Sequence, residues 1–129
     1  MGGNGAVMRG VVTAGLEARI ALSITGPRGD AVTTDAIVDT GFTEHLTLPP
    51  DLIRALGLAA VARDRGTLAD GRTADVEVYE CVVLWDGRER RTSVLCLDSS
   101  PLLGMSLLLG QHLSVDVLDG GAVAVEALA

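Results

Sequence analysis

The chain has 129 residues and a formal net charge of −7, from 17 Asp and Glu against 10 Lys and Arg. Such acidity excludes the basic footprint that phosphate backbones require, and an anionic membrane surface would repel it, so neither nucleic acid nor membrane is expected as a partner. Hydrophobic residues make up 48% of the chain but include one Trp, one Tyr and one Phe, so the core must be aliphatic.

The length suits one domain whose core needs no disulfide or metal staple. No apolar run is long enough to span a bilayer. The glycine-rich start, Met1 to Gly10, carries no apolar signal region. Cys81 and Cys96 are the two cysteines, and in a chain without a leader they read as free thiols on buried strands, with a cytoplasmic location.

In chain order, Leu16, Ala18, Ile20, Leu22 and Ile24 alternate with mostly polar residues, the period of a half-buried strand. Gly26-Pro27-Arg28-Gly29-Asp30 is a turn, and Ala31 to Val38 is the returning strand of a hairpin. Leu46 to Leu48 is a short apolar strand. Pro49-Pro50-Asp51, then Leu52, Ile53 and Leu56 at helical spacing, then Gly57, predict a short helix with proline at its start and glycine past its end. Val61 to Ala69 and Arg72 to Leu84 flank the hairpin turn Asp70-Gly71. Asp86-Gly87 is a second such turn, leading to a strand over Thr92 to Leu97. The leucine-rich stretch Pro101 to Gly110 is expected to be a short helix. Leu113 to Leu118 and Ala122 to Leu128 form a closing hairpin about Asp119-Gly120-Gly121. Many short strands, frequent glycine turns and little helix predict an all-β barrel or sandwich.

The strand Ala31 to Val38 runs directly into Asp39-Thr40-Gly41. A carboxylate after a buried apolar strand is costly to desolvate, and a second carboxylate beside it raises the proton affinity of the pair. Two carboxyl groups sharing one proton can then divide acid and base roles on one water. Glycine lets the chain turn sharply, and the stiff Thr side chain can anchor the loop. Alone, the tripeptide is equally an ordinary strand-ending turn in which Asp hydrogen-bonds its own backbone.

The wider context resembles the retropepsin-like aspartic proteases, which include the retroviral proteases and small bacterial relatives. Three segments carry the resemblance over roughly Leu16 to Leu128: Ala36-Ile37-Val38-Asp39-Thr40-Gly41, the hairpin Thr67-Leu68-Ala69-Asp70-Gly71-Arg72-Thr73, and the late apolar pair with glycine, Leu102-Leu103-Gly104-Met105-Ser106-Leu107-Leu108. The resemblance implies a small closed β-barrel that pairs into a two-fold homodimer and hydrolyses peptide bonds without a cofactor or metal. Asp39 of each subunit would activate the attacking water. Thr40, Gly41 and Phe42 would form the active-site loop, and Leu68, Ala69, Asp70, Gly71 and Arg72 a flap over the peptide. Leu103, Gly104 and Met105 would support the site. The protease domain would span 16–129. For the 1–15 segment two readings stay open: a natural start at Met8 with non-native residues before it, or a dimer-interface strand.

The sequence departs from the family pattern at two places. Phe42 stands where relatives often carry Ala, Ser or Thr, and Met105-Ser106 where viral enzymes commonly carry Arg-Asp or Arg-Asn. Both departures favour the alternative of a catalytically silent module for dimerisation or peptide binding. The acidic signature occurs once, so a dyad requires a second chain. Glu44 and His45 read as a solvated loop in preference to a substrate rim. His45 and His112 lack the companions of a metal site. Gly2-Gly3-Asn4-Gly5 is not a phosphate loop, having neither a strand before it nor a lysine after it.

Overall fold

Alternation of buried and exposed side chains sets the strands, and pairing between distant segments sets where they end. The computed structural model describes residues 7–67 and 70–128. Strand β1 (Met8–Val12) pairs antiparallel with β2 (Ala18–Thr25), which buries Ile20, Leu22 and Ile24 on one face. Leu16 lies outside the strand, in a turn at φ +62°. β2 returns through the Gly26–Asp30 turn, where the Gly26 N–H donates to the Asp30 carbonyl at 3.2 Å. β3 (Ala31–Val38) then pairs with β2 from Arg19 to Thr25.

β4 (Leu46–Leu48) is buried throughout, and α1 (Pro50–Ala55) begins on Pro50 as expected. The helix closes in a Schellman-type turn, with Leu58 N–H donating to the Ile53 carbonyl, Gly57 N–H to that of Arg54, and Gly57 at φ +66°. β5 (Ala60–Thr67) and β6 (Thr73–Trp85) form a long hairpin. Asp86 and Gly87, at φ +55° and +74°, make the two-residue turn into β7 (Arg88–Cys96).

The Pro101–Gly110 stretch corrects the expectation of a single helix. Its first part is strand β8 (Leu102–Leu103), parallel to β3 and antiparallel to β4, and only Met105–Leu108 is helical, as α2. β9 (Gln111–Val115) and β10 (Ala122–Ala127) form the closing hairpin, and β10 pairs with β1.

The fold is mostly β. The strand order is β5-β6-β7-β4-β8-β3-β2-β1-β10-β9. A further contact of Ile24 and Thr25 with Val83 and Val82 joins β2 to β6, so successive pairings lead from β2 through β3, β8, β4, β7 and β6 back to β2. Inside lie Ile20, Leu22, Ile24, Leu46, Leu48, Leu56, Val83, Val94, Leu103 and Leu107, with Trp85 as the one large ring. This is the aliphatic core that composition requires.

Candidate functional site

β3 and β8 meet where the chemistry-bearing loop begins. Val38 is paired with Leu103, and the Asp39 N–H donates to the Leu103 carbonyl at 2.9 Å. Past this point β3 ends in a tight turn. The Gly41 N–H donates to Asp39 Oδ1 at 3.0 Å, and the Phe42 N–H to the Asp39 carbonyl at 3.1 Å. One carboxylate oxygen is therefore fixed by backbone. The other has no hydrogen-bond partner among the described residues, and the side chain is half-exposed. Thr40 and Gly41 are exposed.

Such a turn alone would equally suit an Asp that merely ends a strand. What sets it apart is the second loop laced to it. The N–H groups of Gly104, Met105 and Ser106 donate to the carbonyls of His45, Phe42 and Glu44 at 2.9, 2.8 and 3.2 Å. The Ser106 hydroxyl donates to the Thr43 carbonyl. One layer below, the buried Thr47 hydroxyl accepts the Leu102 N–H at 2.9 Å. A Cβ on residue 104 would stand 2.1 Å from the Glu44 carbonyl oxygen and 2.6 Å from Phe42 Cδ2, so only glycine fits there. Leu103 is wholly buried, whereas Met105 projects with 45% of its surface exposed. The ring of Phe42 packs on Gly104 and is half-buried.

Asp70, Gly71 and Arg72 lie at the end of the β5–β6 hairpin, with Gly71 at φ +86°. The Asp70 carboxylate accepts both the Arg72 N–H, at 3.0 Å, and its Nε–H, at 2.6 Å. Leu68 and Ala69 fall outside the described residues. Glu44 and His45 line a cavity of about 160 Å³ together with Leu46, Val78, Ser93 and Leu95. The last three of these carried no sequence signal. They reach the loop only because β6 and β7 pair Val78 with Leu95 and β7 lies beside β4.

No group of three or more His, Cys, Asp and Glu suited to a metal ion occurs among the described residues. None of the described helices is long and apolar enough to cross a membrane. Both cysteines are free; Cys81 is buried and Cys96 half-buried. Burial, and then the charge of Glu80, pushes the Cys81 thiol up to about 12.

Neither a family model nor a curated protein matches the chain. Among solved structures it is similar to a retropepsin-like aspartic protease from Rickettsia conorii. The two share 17% identity over 100% of this chain and 97% of that one, with a TM-score of 0.56. The likeness is one of fold, and it spans both loops described above.

Proposed function

We propose that the protein is an aspartic endopeptidase built as a two-fold homodimer, its barrel-like subunits each contributing Asp39 to one active site. One carboxylate takes a proton from water as the oxygen attacks the peptide carbonyl. The other, protonated, gives its proton to the carbonyl oxygen. Collapse of the tetrahedral centre breaks the C–N bond as the first carboxyl returns its proton to the leaving amine and the second, now ionised, takes a proton from one hydroxyl of the tetrahedral centre, which restores the dyad. Thr40 anchors the loop across the axis, Gly41 faces the peptide, and the hairpin about Asp70-Gly71 covers it. No cofactor takes part.

The observation that carries this proposal is the lacing of the Asp39 loop to Gly104–Ser106. A plain strand-ending turn has no need of four hydrogen bonds from a segment sixty residues away. A second reading, a catalytically silent module for dimerisation or peptide binding, draws on Phe42, whose ring offers no hydroxyl to the carboxylate. The test is binding of pepstatin, a hydroxyl-bearing mimic of the tetrahedral centre. An active dyad binds such mimics at least about a hundredfold more tightly than substrate-like peptides. Affinity no greater than that of an ordinary peptide, and unchanged in Asp39→Asn, would support the silent module.

A further inference from the structure

We propose that the cavity lined by Glu44, His45, Leu46, Val78, Ser93 and Leu95 is a specificity pocket for a lysine or arginine side chain, with Glu44 as the selecting group. The proposal rests on the reading above only in laying a peptide along this face of the molecule.

At about 160 Å³ the cavity is smaller than the roughly 300–1,000 Å³ of sites that enclose a whole small molecule. It is of a size for one side chain of a longer ligand. Its walls are of two kinds. Leu46, Val78 and Leu95 offer aliphatic surface, while the exposed Glu44 and Ser93 offer a carboxylate and a hydroxyl and the half-buried His45 an imidazole. An aliphatic stem ending in a cation matches both at once.

The charge of Glu44 is uncommitted. Among the described residues its carboxylate has no hydrogen bond or ion pair. The neighbouring carboxylate on the same face of the β6–β7 pair, Glu80 opposite Ser93, is taken by Arg91 at 3.1 Å. The Glu44 backbone, by contrast, is pinned, since its carbonyl accepts the Ser106 N–H and the adjacent Thr43 carbonyl accepts the Ser106 hydroxyl. A fixed backbone with an unpaired carboxylate lining a partly aliphatic recess favours a cationic guest. It opposes an acidic one by like-charge repulsion. The net charge of −7 also attracts cationic peptides, but without register; the pocket makes the preference specific to one peptide position.

The experiment uses one peptide frame in which Lys, norleucine and Glu are placed in turn at each position. Binding is read by fluorescence anisotropy on Asp39→Asn, and cleavage on the wild type. One position should favour Lys over Glu about tenfold, as the exposed attraction for Lys and the like-charge repulsion of Glu act together. Adding Glu44→Gln should bring that Lys-to-Glu ratio down to the level of the other positions, and Glu44→Lys should take it below that level. The ratio is insensitive to a general loss of affinity. A position-specific Lys preference that survives Glu44→Gln, a wild type with no such position, or no binding of any peptide would overturn the pocket. A Glu44-dependent preference without cleavage leaves the pocket standing and defeats the endopeptidase reading, and cleavage without the preference does the reverse.

Discussion

The ring of Phe42 lies against Gly104, and together they close the seam between the Asp39 loop and the β8–α2 segment. Gly104 is extended at φ −98°, ψ 175°, a conformation open to any residue, so the requirement for glycine is steric and not conformational.

Gly104→Ala should therefore destabilise the fold by about 1–3 kcal/mol, the usual range for overpacking, because the obstacle at 2.1 Å is the Glu44 backbone and not a movable side chain. Chemical denaturation measures it. Wild-type stability in this variant would show that the two loops are not in contact.

Thr47→Val should cost about 1–3 kcal/mol, since it removes the acceptor of the Leu102 N–H at a buried site while keeping the side-chain shape. Thr47→Ser should recover most of the loss. Hydrogen exchange at Leu102 should rise in the Val variant and not in the Ser variant.

That hydrogen bond also shows where sequence reading succeeded and where it stopped. Signals local to the chain were legible: the period of β2, the extent of β3 up to Asp39, proline and glycine at the ends of α1, and the Asp-Gly turns at Asp70 and Asp86. Signals that depend on distant partners were not. Leu102-Leu103 looks helical in a leucine-rich run, yet its backbone is taken by β3, β4 and Thr47. β1 was obscured by glycine, although Gly10 is needed there because a Cβ would stand 1.9 Å from the Arg19 carbonyl oxygen. The start of β7 hides in Arg88 to Arg91, a charged run in which Arg91 faces out to Glu80 while Arg90 lies over the buried Trp85 ring and donates to the Leu107 carbonyl. Within the site, Asp39 and Gly104 were legible from their motifs. The walls Val78, Ser93 and Leu95 are joined to Glu44 only by strand pairing.

Cys81 should resist thiol reagents in the folded protein and react only on unfolding, because burial favours its neutral form and the thiolate is the reactive species. Its folded value, about 12, lies above the ordinary 9.0. The neutral thiol therefore supports the fold below about pH 9, and that support is lost as the pH rises towards 12. A Cys81→Ala variant should show a shallower alkaline decline in stability. Rapid labelling of native Cys81 at neutral pH would contradict this.

One Asp-Thr-Gly per chain makes the two-chain assembly a requirement of the proposed chemistry. Sedimentation velocity with a saturating, non-cleavable peptide analogue should give a two-chain species. A monomer at high concentration with the analogue bound would exclude a shared active site.

The most direct measurement compares peptide cleavage by the wild type and by Asp39→Asn. An amide matches the carboxylate in size but cannot exchange the proton that general acid–base catalysis requires, and in a homodimer both members of the dyad change together. The wild type should cleave, with the rate falling at least about a hundredfold in the Asn variant while its circular dichroism and sedimentation stay as in the wild type. Equal rates in the two proteins would contradict a role for Asp39 in catalysis.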